Sequence, residues 1–469
     1  MRATHATGPS TMHASQRGHA IVIGGSMGGL LAARALADHF ARVTILERDA
    51  LSDDPSAHRK GVPQSRHAHG LLGQGRVILE GLFPGLTAQL ERDGAMRGDL
   101  GAETAWFHDA GFHRRHDSGI VGLFASRALL EAHVRRRVLE LPNVDLRDAL
   151  DVTGLMPGNG GSRVVGVSVM QARGGAILDA DLVVDASGRG SRLPAWLASL
   201  GFARPDEERV PIDLCYTTRL FRDGPRCPRG AWGIVKAGAP SNTRGGALLR
   251  VEGDRWILTM GGYAGDHAPL DHAGMLAYAR GMGAPQFAEV LDGAEPIGEP
   301  VTYRYAASVR HRYERLRRFP DGLLAFADAI CTFNPVYGQG MTVAAMQSLA
   351  LRDELARGPR HLARRFFRRA GRIVDTPWTV AVGGDARILD IRHHNGAANR
   401  LLGAYLDQLH LAARSDAQVA NAFLRVANLM AAPATLLAPA TLWRVWRGAR
   451  AARAGTPGQL PALAPRPRR

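Results

Sequence analysis

The fold is decided by His19-Ala-Ile-Val-Ile-Gly24-Gly25-Ser26-Met27-Gly28-Gly29-Leu30-Leu31 and its continuation through Ala35-Leu36 to Val43-Thr-Ile-Leu-Glu47. The apolar run before Gly24 leaves no room for a helix and predicts a buried parallel strand. Leu30, Leu31, Ala35 and Leu36 recur at helical spacing, and Val43 to Glu47 reads as a second strand. The chain therefore opens on a βαβ unit with a glycine-rich turn between its first strand and its helix. Such a turn needs glycine for its tight geometry, for backbone approach to a pyrophosphate and for helix–strand packing. Gly24 and Gly29 hold the first and third of these positions, Gly28 lies between them, and Ser26 stands at the second. Serine adds little bulk, so a pyrophosphate still fits over the helix N-terminus, where free N–H groups and the helix dipole favour an anion. Glu47 ends the second strand, placed to accept hydrogen bonds from a ribose diol and to repel a 2′-phosphate. The expected ligand is FAD or NAD rather than NADP.

Outward from this unit the pattern stays mixed α and β. Helices are expected around Gln74 to Phe83 and from Ser126 to Leu139, and strands at Asp181 to Asp185 and Leu323 to Phe326. Alternating segments such as Arg255-Trp-Ile-Leu-Thr-Met predict antiparallel sheet in the middle third. A helix begins near Met341, and the chain beyond residue 360 reads as helical and Arg-rich. The expected organisation is a disordered extension over 1–18, a Rossmann-like domain from 19–200 and 300–355, an inserted substrate domain over 201–299 and a helical region over 361–455. The fold class is α/β.

Composition narrows the function. The chain has 469 residues, 45% of them hydrophobic, which is enough for two or three domains around a large cofactor. A net charge of +16 invites nucleic acid as a partner. Yet Lys60 and Lys236 are the only lysines, and arginine is dispersed along the whole chain. That is the pattern of a solvated basic surface, and no nucleic-acid partner is expected. Cys215, Cys227 and Cys331 show no metal-ligand spacing and no disulfide framework, so no metal is expected. The first eighteen residues lack a signal-peptide core, and the expected location is cytoplasmic. The segment from Val419 to Trp446 is interrupted by Arg425, Pro433 and Pro439. It reads as a packed helix pair, with peripheral membrane contact through the C-terminal helices as the alternative.

A second signature lies at Gly322-Leu-Leu-Ala-Phe-Ala-Asp328-Ala and Asn334-Pro335-Val-Tyr337-Gly338-Gln339-Gly340-Met341-Thr342-Val. With it the chain resembles flavoprotein monooxygenases of the p-hydroxybenzoate hydroxylase fold. The Gly340-Met-Thr-Val-Ala run is most similar to squalene epoxidases and bacterial polyether epoxidases. The resemblance spans roughly residues 19 to 350. It implies that Asp328 binds the ribityl chain of FAD, and that Pro335, Gly338, Gly340 and Met341 form the loop beside the flavin ring. It further implies FAD contacts at Arg127, at the backbone of Val152 and at Arg66 in the loop Val62-Pro-Gln-Ser-Arg-His67-Ala-His69. Two departures stand out: Ala327 replaces a glycine, and Ser187 replaces the Asp of a central Asp-Gly motif, which bears on how the reductant docks.

The implied chemistry is reduction by NAD(P)H, addition of O2 at the flavin C4a, and transfer of one oxygen atom to a small lipophilic organic substrate in a pocket that excludes water. Tyr216, Phe333 and Tyr337 are the pocket candidates, and His67 and His69 are either proton-relay groups or ordinary structural histidines. No Ser-His-Asp set, HExxH or P-loop competes. Hydroxylation, epoxidation, C=C reduction as in geranylgeranyl-type reductases, and non-catalytic FAD binding all stay open. Halogenation is set aside, because flavin halogenases need a pocket lysine and neither lysine lies in such a motif.

Overall fold

A computed structural model describes residues 17–52, 54, 57–108, 111–171, 174–391 and 396–454. The first strand begins at Arg17, two residues before the expected start, and the rest of the expected N-terminal extension lies outside the described residues.

The apolar runs form one parallel sheet of five strands, in the order Leu323–Ala325, Leu182–Asp185, Arg17–Ile23, Phe40–Leu46, Val144–Arg147. Its central strands carry Ile21, Val22, Val183, Val184 and Leu324, all fully buried: the helix Met27–Ala37 packs on the sheet, and so does a three-stranded antiparallel sheet of Asp151–Pro157, Val164–Gln171 and Gly174–Asp179. Ile23 pairs with both Leu46 and Asp185, and Asp185 pairs with Ala325. Four strands therefore end level. Gly24, Glu47, Ala186 and Phe326 step off the same edge, into the crevice where such sheets bind ligands.

Glycine does two separate tasks in the first turn. Gly24 sits at φ +100, a region closed to most side chains. A Cβ on Gly29 would overlap the Gly24 carbonyl oxygen, so the helix Met27–Ala37 closes on the strand only with glycine there.

The antiparallel sheet of the middle third has eight strands, in the order Cys331–Thr332, Pro296–His311, Glu207–Arg222, Arg255–Gly262, Gly245–Val251, Gly233–Lys236, Thr104–His108, Gly111–Phe112. It therefore reaches beyond the expected span of 201–299, taking edge strands from 104–112 and 331–332. One neighbouring pair, Gly233–Lys236 with Thr104–His108, is parallel. The C-terminal region forms helices Leu362–Ile388, Ala397–Ala413, Ala417–Ala427 and Pro439–Ala454. Among the described residues no helix is long and apolar enough to cross a membrane.

Candidate cofactor and substrate site

The level ends of the parallel sheet, the inner face of the large sheet and the C-terminal helices enclose a cavity of about 1580 Å³. A single small-molecule site usually occupies about 300–1,000 Å³, so this space suits a large cofactor and a second molecule together.

At one end, Glu47 accepts the Gly25 N–H at 2.7 Å and the Asp49 N–H at 2.9 Å, and pairs with Arg59. Arg59 also pairs with Glu131 at 2.6 Å, and Glu131 pairs with Arg127 at 2.6 Å. Ser26 completes the cluster: its hydroxyl donates to Glu131 at 2.7 Å and accepts from Arg127 at 3.1 Å. The serine in the second glycine position thus turns its side chain down into the protein, leaving the backbone face of the turn open. Burial alone would raise the Glu131 carboxyl, but Arg127 and Arg59 outweigh it and hold the group below its ordinary range.

Further along, Asp328 stands one residue past Ala327, at the end of its strand, and lines the cavity. Its side chain is open to the cavity yet enclosed by the protein. Burial raises its pKa against the smaller opposing pull of Arg127 and Arg189. Ala327 adopts φ +54, so the departure from glycine holds a Cβ in the left-handed region. Pro335, Gly338, Gly340 and Met341 line the same wall, and the helix Gly340–Ala356 opens with no side chain capping its first turn.

The residues present fit a flavin dinucleotide. The N-terminus of helix Met27–Ala37 lacks a side-chain cap, the Arg127 Nε is buried without a hydrogen-bond partner, and a carboxylate waits at the strand end. These are the donors and acceptors that a pyrophosphate, a sugar chain and a ring edge require.

Gly24, Ser26, Gly28, Glu47, Arg127, Val152 and Asp328 line the cavity, as do Tyr216, Phe333 and Tyr337. Gly29 lies beneath the turn. Arg66 does not line the cavity: it ends the short turn Pro63–Arg66 with its side chain exposed. Arg59 is the arginine of that loop that turns inward, drawn by the carboxylates of Glu47 and Glu131, a pairing that no local motif announces. Both lysines also line the cavity, contrary to the reason for setting halogenation aside. Lys236 is buried on an inner strand, with its ammonium donating to the carbonyls of Asn242 and Arg244.

Two histidines of the loop face the cavity as neutral rings. His67 is pushed down to about 4 by burial, helped by the neighbouring His69 and Arg66. His69 also falls to about 4, from burial and then Arg127. Its Nδ1 lies 2.9 Å from the His67 carbonyl oxygen. A carbonyl only accepts, so Nδ1 carries the hydrogen and Nε2 keeps its lone pair.

The far end is aromatic. His108 and His410 stack at 3.8 Å, His113 meets His410 at 3.1 Å, and Phe423 packs edge-on against Trp106 and His410. Burial drives His410 well below the usual range and His113 down to about 3. His113 and His410 therefore stay uncharged, and among the described residues no His, Cys, Asp and Glu group is arranged to hold a metal.

No protein-family model matches the chain. It is 36% identical over 437 residues to Protein Rv3254 of Mycobacterium tuberculosis, a match covering 88% of this chain and 90% of that protein. The chain belongs to the family of Protein Rv3254. Its fold is shared with a flavoprotein/dehydrogenase from Cytophaga hutchinsonii, at TM-score 0.66 and 15% identity over 93% of this chain and 99% of that one. It is shared too with the flavin-dependent halogenase CmlS, at TM-score 0.64 and 16% identity over 89% and 77% of the two chains. A third structure of this fold is p-nitrophenol 4-monooxygenase PnpA from Pseudomonas putida DLL-E4, at TM-score 0.58 and 17% identity over 88% and 99%. The chain thus shares its fold with these flavin-dependent proteins.

Proposed function

We propose that this protein is an FAD-dependent monooxygenase that uses NAD(P)H and O2 to place one oxygen atom on an aromatic or olefinic carbon of a lipophilic small molecule. The observation that carries this reading is the single cavity in which the glycine turn, Asp328 and the 334–341 loop meet, with spare volume running on to apolar and aromatic walls. When bound, the flavin supplies hydride acceptance and oxygen activation. The chain's own residues do the rest. Backbone N–H groups at 26–28 and Arg127 would hold the pyrophosphate, Glu47 the ribose and Asp328 the ribityl hydroxyls. The N-terminus of helix Gly340–Ala356 favours negative charge on the ring edge nearest it. His69 keeps a proton acceptor at Nε2 through the neutral pH range, and the apolar walls keep water out.

Purified protein is expected to be yellow, to release FAD on denaturation, and to incorporate label from isotopically labelled O2 into product. Product formed at full rate without O2, or carrying no label, sinks the monooxygenase reading. A second reading, halogenation, draws on Lys236 in the cavity wall. The carbonyls of Asn242 and Arg244 already hold that ammonium, which weighs against it, and bromide-dependent bromination of a phenol tests it.

Access to the cavity is proposed from an anionic lipid surface. Leu402 and Leu437 line the cavity and are also exposed, beside Trp443 and Trp446, whose rings Arg447 and Arg450 cover at 4.4 and 5.7 Å. Exposed tryptophans framed by arginines suit an anionic headgroup layer. Failure to float with anionic liposomes at low salt removes this part of the reading.

A further inference from the structure

Asp385 lies on the helix Leu362–Ile388, far along the chain from the residues expected at the site, and it is fully buried. Its Oδ1 collects three hydrogen bonds: from Asn334 Nδ2 at 2.7 Å, from the Tyr263 hydroxyl at 3.2 Å and from the Tyr337 hydroxyl at 3.2 Å. Gly384, beside it, leaves the space that the Tyr337 hydroxyl occupies, because a Cβ there would collide with that oxygen. The contact between this helix and the 334–340 loop is thus built for the phenol.

The direction of every hydrogen in the network follows from elementary donor and acceptor rules. A carboxylate only accepts, so Tyr263 and Tyr337 both donate to it. The Val336 N–H must meet an oxygen, which fixes Asn334 Oδ1 as the atom 3.0 Å away. Tyr216 then donates to that same oxygen at 3.3 Å. Burial holds the phenols of Tyr216, Tyr263 and Tyr337 well above their usual range, so all three keep their protons. Tyr216 and Tyr337 line the cavity, each with its one hydrogen already committed inward. A ligand group reaching either oxygen must bring the hydrogen itself.

We propose that Asp385 is a positioning residue that makes this wall an acceptor surface and so selects a substrate carrying an O–H or N–H group, a phenol or an enol rather than a bare hydrocarbon. The proposal rests on reading the cavity as the substrate space beside FAD. Asp385 titrates near neutrality: burial pushes it up to about 6, and the bonds from Asn334, Tyr263 and Tyr337 offset only part of that. The groups facing it are these neutral donors, with Tyr216 behind Asn334. On its own helix, Arg387 is turned to Asp407 at 2.5 Å. The carboxylate form is therefore half populated near pH 6, and acceptor character is nearly complete only by about pH 8.

The test uses three probes on the purified holoenzyme: 2-naphthol, which donates; 2-acetylnaphthalene, which only accepts; and 2-methylnaphthalene, which does neither. At about pH 8, 2-naphthol is expected to bind roughly tenfold tighter than either of the others. That preference should shrink below pH 6, and in Tyr337→Phe, which deletes one acceptor and leaves the carboxylate. In Asp385→Leu the Tyr337 hydroxyl is released to donate, and 2-acetylnaphthalene should gain. Asp385→Asn, closer in shape, should lose the pH dependence if the leucine variant fails to fold. Equal binding of the three probes, no binding by FAD-loaded protein, a preference that still fades with pH in Asp385→Asn, or one that persists undiminished in Tyr337→Phe overturns the proposal. Colourless protein that still prefers 2-naphthol sinks the flavin reading and leaves this one standing.

Discussion

Glu131 and Asp385 are both buried carboxylates beside the same cavity, and their proton affinities move in opposite directions. Glu131 lies between two guanidinium groups and is held low; Asp385 meets only neutral donors and is pushed up to about 6. Burial is common to both, so the partner's charge decides the direction. One end of the cavity is a closed set of paired charges that holds the dinucleotide turn rigid. The other keeps a titratable group near working pH. A site of this kind needs both, a fixed floor for a cofactor and an adjustable wall for the molecule beside it.

The comparison breaks most severely at the floor. Gly29→Ala places a methyl on the Gly24 carbonyl, and is expected to cost about 4 kcal/mol or more, giving insoluble or colourless protein. Yellow, soluble variant protein in wild-type yield would show that the turn has slack. Next, Glu131→Gln leaves Arg59 and Arg127 buried without their shared carboxylate, an expected loss of about 3–5 kcal/mol in urea unfolding. The sign with pH follows from the depressed folded pKa. The ion-pair contribution is present above the ordinary glutamate value and is lost as pH falls through the folded value, so the variant and wild type should converge in acid.

Asp385 gives the opposite slope. Its folded pKa of about 6 lies above the ordinary 3.8, so the folded state holds the proton more tightly than the unfolded chain. Its contribution is most favourable below the unfolded value and is lost as pH rises through the folded one, by about 3 kcal/mol in all. Wild type should therefore lose stability relative to Asp385→Asn between about pH 4 and pH 7, read as thermal midpoints across that range. Parallel curves would mean that a cation compensates the carboxylate after all. The smallest effect is expected at Ala327→Gly, where removing a Cβ at positive φ should stabilise by about 1 kcal/mol. Destabilisation instead would show that its packing against Gly28, where an added Cβ would meet the Ala327 methyl at 2.9 Å, matters more than the backbone strain.

Much of the floor was legible in the chain itself. The apolar run before Gly24, the helical spacing of Leu30 to Leu36 and the acidic strand end at Glu47 are local signals, each set by backbone geometry and hydrophobic period within a few residues. The Asp328 and Pro335 to Met341 segment was equally readable, because one short stretch carries both the strand-end carboxylate and the glycine turn. Arg59 was not: nothing local separates it from Arg66 in the same loop, and only the spatial approach of Glu47 and Glu131 turns one inward and leaves the other in solvent. Lys236 was dismissed for lack of a motif, yet the strand bearing it faces the cavity.

Sequence alone determined that this chain builds a parallel sheet with a dinucleotide turn and a second strand-end carboxylate, since those features depend on steric limits at single residues and on short-range periodicity. Only the tertiary structure decided that an aspartate in the helix Leu362–Ile388 closes over the 334–340 loop. Its effect comes from which phenols and amides surround it and which cations do not. That environment is assembled by packing between elements 48 to 122 positions apart in the chain, and no pattern in the residues around position 385 encodes it.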